Sequence, residues 1–417
     1  GRQGRVRGSL FNQLLRSFPD FTSKQTLSSR ESSSPAKKRR LERDCSVKFQ
    51  HTAERVLTVF ELSGFVRTDP AILQPADIFL DLSGEEIRQR LFLTSDSDGR
   101  ELALRPEFTI PVARHYLQSL SVGKPYSYCY SGPIFRVRPG ESSEFIQAGI
   151  ESFGRTDREA VDAEILARAL EALNSADAGD IDVRLGDVGL FSALLDGLAL
   201  APLWVRKLKR AFAKGALTQE TLDVMAEFVP PISEHSGLLR TLEGQDPRAA
   251  RAFVEDLLKI AGISSVGGRS AAEIAERFLD QASSEAAGSL SLDARTILAR
   301  YCAIEGEPDD VSSALRALSA EAGLKLDAAL DAYDARIGFI AARGIKLEEM
   351  VFSARFGRNL DYYTGSVFEI RRKGMPESKP IVGGGRYDRL LQSLGASAPI
   401  PAVGCAIFID RLAEALA

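Results

Sequence analysis

Between residues 48 and 63 the apolar positions Phe49, Ala53, Val56, Leu57 and Phe60 recur every three or four residues, which predicts an amphipathic helix over Lys48–Ser63. Gly64 stands where helices commonly end on a left-handed C-cap. From Leu91 to Gly154 the pattern is mostly that of strands. Tyr126, Tyr128 and Tyr130 alternate, Ile134–Arg138 keeps the period of two, and Pro139-Gly140 marks a turn. Glu144–Gly154 alternates again, so an antiparallel pair joined by a polar loop is expected. Arg105–Thr109 is read as part of the same strand-rich stretch, with Glu107 and Thr109 on one face.

After Ile181–Asp187 the character turns to Ala- and Leu-rich helical sequence up to about Ile345. Ala201–Phe212, Pro247–Ile260 and Ala271–Ala287 are helices bounded by Gly or Pro signals. Strand patterns return at Phe352, Ser366–Arg371, Ile381–Val382 and Ala402–Ile409, and a short helix starts near Asp410. The expected fold class is α+β, with a core split between residues 48–187 and 346–417 and a helical insertion at 188–345.

Composition narrows the class. Hydrophobic residues at 44% and charged residues at 26% of 417 fit a soluble globular protein with a sizeable core. No apolar run is long enough to span a bilayer and no signal-peptide pattern opens the chain, so a cytoplasmic location with no membrane partner is expected. Cys45, Cys129, Cys302 and Cys405 show no paired spacing, and His51, His115 and His235 are isolated, so neither a disulfide framework nor a metal site is expected. No cofactor is implied either.

The net charge of −4 hides an asymmetry: residues 1–47 hold eleven Lys and Arg against four Asp and Glu, leaving −11 on the remainder. Residues 1–47, with the run Ser32–Arg40, read as a basic tail, disordered or loosely attached. So acidic a body is a poor platform for a polyanion. Nucleic-acid binding would rest on that tail alone.

Four segments carry a specific resemblance. They are Arg105-Pro106-Glu107-Phe108-Thr109; Gly132–Arg136 with Phe145–Glu151; Arg358-Asn359-Leu360-Asp361-Tyr362-Tyr363-Thr364-Gly365; and Gly383-Gly384-Gly385-Arg386-Tyr387-Asp388. In this order they are similar to the motifs of histidyl-tRNA synthetases. The resemblance implies a class II aminoacyl-tRNA synthetase-like antiparallel sheet flanked by helices. It further implies that Glu107, Thr109, Gln147, Glu151, Arg358, Tyr362, Tyr363 and Tyr387 line a histidine pocket, and that Arg136 and Arg411 belong to a nucleotide site. The residue types suit that ligand. Gln147, Gly149 and Glu151 share one strand face, and the glycine leaves a gap of about 13 Å between two polar groups. Carboxylates and amides accept hydrogen bonds, as an ammonium and an imidazole require.

The departures from the synthetase pattern lie at the nucleotide. The second segment reads Phe135-Arg136-Val137-Arg138, without the synthetases' acidic residue. Its loop carries Glu141 and Glu144 where basic residues would meet phosphate. Phe408 replaces a glycine beside the nucleotide, and the sequence stops at Ala417 where an anticodon-binding domain would begin.

This combination is similar to the regulatory-subunit family of ATP phosphoribosyltransferase. The family resemblance implies a non-catalytic chain that binds a short-form catalytic subunit, makes it active, and confers feedback inhibition by histidine in the first step of histidine biosynthesis. It also implies a homodimer within a hetero-octamer and no tRNA partner, with the helix Lys48–Ser63 at the dimer interface. The alternative is a truncated synthetase-like enzyme that still forms histidyl-adenylate, which Arg136, Arg358 and Arg411 favour.

Overall fold

A computed structural model of the chain describes residues 35–82, 88–227, 289–358, 362–376 and 379–414, with short pieces between 253 and 270. The first helix runs Pro35–Leu62, so it begins earlier than Lys48 and takes in part of the expected tail. Proline at the start of a helix sacrifices no hydrogen bond, because the first-turn N–H groups have no partner anyway. Ala53, Val56, Leu57 and Phe60 are buried as their spacing required. Gly64, at φ +89°, ends the helix. The Phe65 and Gly64 amides donate to the Phe60 and Glu61 carbonyls, closing a Schellman cap. Of the expected helices, Ala201–Phe212 appears as Pro202–Ala213; Pro247–Ile260 and Ala271–Ala287 lie essentially outside the described residues.

The strands are β1 (Val66–Arg67), β2 (Leu73–Pro75), β3 (Leu93–Ser95), β4 (Glu101–Leu104), β5 (Tyr126–Phe135), β6 (Glu144–Phe153), β7 (Ile181–Asp187), β8 (Ser265–Val266), β9 (Arg269–Ser270), β10 (Glu305–Gly306), β11 (Met350–Ser353), β12 (Ser366–Arg372), β13 (Val382–Arg386) and β14 (Ala402–Phe408). Nine of them form one sheet in the order β1-β5-β6-β14-β13-β12-β7-β11-β10. It is antiparallel except where β1 meets β5 and β7 meets β11. β2, β4 and β3 make a smaller sheet. The two halves of the sequence-expected core thus interleave, since β14, β13 and β12 lie between β6 and β7.

Two apolar cores flank the main sheet. The larger gathers the first helix, the helix Arg158–Ser175 and the described helices between Val188 and Ala342 together with Ile150, Leu185, Phe368 and Ile407. The smaller gathers the helix Thr109–Gln118 with Tyr128, Tyr130, Tyr362 and Tyr387. That helix corrects the strand reading of Arg105–Thr109: the segment is a non-strand approach that turns into a helix at Thr109. Pro106 brings no N–H to a ladder. The Glu107 carboxylate instead accepts from the Thr109 and Ile110 amides at 2.7 and 2.9 Å, satisfying donors that the first helical turn leaves open.

β13 was legible only as Ile381–Val382, because glycines disfavour strands, yet it runs through Gly383-Gly384-Gly385. Among the described residues no helix is long and apolar enough to cross a membrane, and no cluster of His, Cys, Asp and Glu could hold a metal ion.

Candidate functional site

Residues opposite one another in an antiparallel ladder project to the same face. Gln147, Gly149 and Glu151 on β6 face Phe408, Ala406 and Gly404 on β14; beyond them Gly383 and Gly385 on β13 continue that face. The middle of the sheet is therefore nearly bare of side chains. Larger groups from elsewhere lie down on it. A Cβ at Gly404 would sit 1.6 Å from Glu151 Oε2, and one at Gly383 would sit 2.1 Å from the Arg358 guanidinium. These glycines are present for close approach.

Glu151 is the centre of the floor, 1% exposed. Its Oε1 accepts from Thr109 Oγ1 at 2.8 Å and Tyr130 Oη at 3.2 Å, and its Oε2 accepts from the Tyr387 hydroxyl. Burial pushes this carboxyl up to about 8; the hydroxyl donors pull against burial and the nearby Glu107 carboxyl adds to it. Glu107 is likewise raised by burial, opposed by the Ile110 and Thr109 amides and by the Arg136 guanidinium. Two buried carboxyls in electrostatic contact are an unfavourable arrangement that a bound cation would relieve.

The predicted residues converge. Tyr362, Tyr363 and Tyr387 form a triangle of rings with centroids 5.1–6.5 Å apart. Tyr362 is within reach of Thr109 and Tyr363 of Arg358. Gln147 is buried, and its Oε1 has no hydrogen-bond partner among the described residues. Nor has Arg358 Nε, although Arg358 Nη1 reaches the Phe368 carbonyl at 3.4 Å. An unpaired buried acceptor, and a guanidinium that faces Glu369 at 4.0 Å but leaves its Nε unbonded, are groups that an amino acid with a free ammonium and carboxylate would engage. Asn359–Asp361 of the third motif lie outside the described residues.

One detail of the sequence reading is corrected. The gap above Gly149 is not open: a Cβ there would meet the Tyr130 hydroxyl at 2.4 Å, so the Tyr130 ring fills it. Tyr130 was missed as a site residue. Its signal was the alternation on β5, which sets it opposite Gly149.

The region of Arg136 and Arg411, which the resemblance assigned to a nucleotide, is built differently. Arg136 Nε donates to the Pro106 carbonyl at 2.6 Å, and burial lowers this guanidinium to about 10 despite the Glu107 charge. Arg138 lies 3.7 Å over the Phe145 ring and donates to the Ser142 carbonyl at 2.8 and 2.6 Å. It also pairs with Glu141 at 3.0 Å and Asp410 at 3.6 Å. Phe145 stacks toward Phe408, and Arg411 covers Phe408 at 4.5 Å while donating to the Pro380 carbonyl. The chain's own Arg138, Phe145, Phe408 and Arg411 thus form a continuous column, in which Phe408 is buried.

With this geometry in place, similar proteins are informative. A family model described as histidyl-tRNA synthetase matches residues 41–254 and 249–412. An ATP phosphoribosyltransferase regulatory subunit of Brucella anthropi is 40% identical over 345 residues, covering 82% of this chain and 90% of that one. The protein of that name from Brucella canis is 40% identical over 353 residues, covering 83% and 92%. A solved ATP phosphoribosyltransferase regulatory subunit/histidyl-tRNA synthetase from Bacillus halodurans superposes with a TM-score of 0.64 at 20% identity, covering 96% of this chain and 84% of that one. A histidine–tRNA ligase subunit from Alicyclobacillus acidocaldarius gives 0.56 at 23%, covering 94% and 98%. The structural likenesses bear on the fold.

Proposed function

We infer that this chain, which belongs to the histidyl-tRNA synthetase-like family of ATP phosphoribosyltransferase regulatory subunits, is the histidine-sensing partner of a short-form catalytic subunit. As a regulatory subunit it acts on the transferase and is not the transferase itself. The observation that carries the sensing role is the buried acceptor set: Glu107, Glu151 and the unpaired Gln147 Oε1 around the tyrosine triangle, with the unpaired Arg358 Nε close by.

Histidine presents an ammonium and a ring N–H to acceptors and a carboxylate to arginines. In this reading Glu107, Thr109, Gln147 and Glu151 take the donors, Arg358 faces the carboxylate, and Tyr362, Tyr363 and Tyr387 enclose the ring. The Arg138–Phe145–Phe408–Arg411 column occupies the nucleotide side, so histidine is held and not activated. Feedback follows if the histidine-bound form is differently stable against the catalytic subunit. A homodimer within a hetero-octamer, without tRNA, completes the proposed assembly.

The test is an assay of a short-form catalytic subunit with ATP and phosphoribosyl pyrophosphate, with and without this chain and histidine. Activation by the chain and inhibition by histidine only in its presence are expected; inhibition indifferent to the chain overturns the sensor. The second reading, an enzyme forming histidyl-adenylate, draws on the retained Arg136 beside Glu107. Histidine-dependent exchange of pyrophosphate into ATP by the chain alone would establish it instead.

A further inference from the structure

Beneath the pocket floor lies a charged cluster that the binding chemistry leaves unused. Asp162, on the helix Arg158–Ser175, is buried and accepts from two arginines. Arg386 reaches it through Nε at 2.9 Å and Nη2 at 2.5 Å, and Arg336 through Nε at 2.9 Å. The Ser366 hydroxyl donates to it as well, at 2.8 Å. Arg336 belongs to the helix Asp327–Ala342 and also pairs with Asp187 at 2.6 Å. Asp187 in turn caps the helix Val188–Gly197 through the Gly189 and Leu190 amides.

Arg386 is joined to the pocket on two sides. Alternation along β13 puts Gly383 and Gly385 on the pocket face and Arg386 on the opposite one. The next residue is Tyr387, whose hydroxyl donates to Glu151. The Arg386 carbonyl accepts from the Thr364 amide at 2.8 Å, and a Cβ on Gly365 would meet Arg386 Cδ at 3.0 Å. Thr364 and Gly365 directly follow Tyr362 and Tyr363. Asp388 closes the unit, accepting from Arg386 at 2.8 Å and from the Ala402 amide at 2.9 Å. All three pocket tyrosines therefore sit on segments fixed by Arg386.

We propose that Asp162, shared between Arg386 and Arg336, is the joint by which the helix Asp327–Ala342 sets Tyr387 against Glu151, so that Arg336 is a positioning residue for histidine although its polar partners are Asp162 and Asp187. The inference rests on the histidine reading above. Its physical basis is that a buried charge cluster has few acceptable geometries: a shift of either arginine breaks buried charge-assisted hydrogen bonds to Asp162, so the groups tend to move together. A partner or ligand that displaces the helix would thereby alter the pocket, and histidine would oppose that displacement equally.

The test is a double-mutant cycle on histidine affinity, measured by calorimetry on the full chain. Arg336→Met and Tyr387→Phe should each weaken histidine at least fivefold, and the double variant should bind no more than about twofold worse than the weaker single one. Arg316→Ala, which removes an exposed pair with Asp331 and Asp334 in the neighbouring helix, should leave affinity unchanged. A merely structural role lowers the unfolding temperature of Arg336→Met but leaves the affinity of the folded protein alone. That result, or effects that multiply in the double variant, overturns the joint while leaving the sensor standing. If Arg336→Met does not fold, Arg336→Lys is read by the same criteria. Absence of histidine binding by the parent chain sinks both.

Discussion

Thr109 Oγ1 donates to Glu151 Oε1 across 2.8 Å, joining the first residue of a helix to the middle of the main sheet. The contact gives Glu151 a partner that carries no charge, and no cation is among the groups that shift it, so the protein does little to hold the carboxyl ionised. A cationic ligand arriving there gains what the protein withholds. Thr109→Val removes the donor at constant shape and should weaken histidine by about tenfold, the loss of one hydrogen bond to a charged group. Unchanged affinity in calorimetry would remove Thr109 from the site.

On the proposed histidine reading, binding should release a proton from Glu151. Its carboxyl is raised to about 8 by burial, so at pH 7 the empty site holds it mostly protonated, and a bound ammonium or imidazolium favours the carboxylate. Calorimetry in buffers of different ionisation enthalpy should show proton release approaching one per site at about pH 6–7 and falling toward zero above the raised value. Equal heats in all buffers at pH 7 would contradict this.

The same shift predicts stability without ligand. The folded state holds the proton more tightly than the unfolded chain, so this contribution is full below about 4.5 and is lost as pH rises through about 8. Glu151→Gln cannot ionise. Relative to the parent it should gain stability between pH 5 and pH 9, measured as the difference in urea midpoints, while losing histidine binding. A constant difference across that range would show that Glu151 is not the titrating group.

Gly404→Ala places a methyl 1.6 Å from Glu151 Oε2 and 2.5 Å from the Ile150 carbonyl. The carboxyl must leave its three hydroxyl partners. A destabilisation of about 1–3 kcal/mol is expected. Histidine binding should be lost as in Glu151→Gln, because the displaced group also obstructs the pocket. Denaturation and binding measured on the same preparation check both.

Asp162→Ala leaves Arg386 and Arg336 buried without their shared acceptor and should cost about 3–5 kcal/mol. Arg316→Ala breaks an exposed, solvent-screened pair and should cost far less. Urea denaturation of the two variants side by side tests the contrast; similar losses would mean that burial is not what sets the strength of the cluster.

What the sequence determined by itself was local and periodic. The buried stripe Ala53, Val56, Leu57 and Phe60, the β5–β6 hairpin with its turn at Gly140, and the alternation placing Gln147, Gly149 and Glu151 on one face all follow from neighbours in the chain. The motif segments likewise supplied a candidate pocket set, because they carry their chemistry in their own residue types. Only tertiary structure decided what fills the spaces between those segments. Alternation set Tyr130 opposite Gly149, but that its ring lies over the glycine, like the sharing of Asp162 by Arg386 and Arg336, up to 224 positions apart, was decided by packing that no period records. The helix at Thr109 was hidden for a related reason: the Glu107 carboxylate that starts it looked, in sequence, like one more alternating polar residue. Glycines such as Gly404 look permissive in sequence, and it is the fold that brings the Glu151 carboxyl onto that particular one.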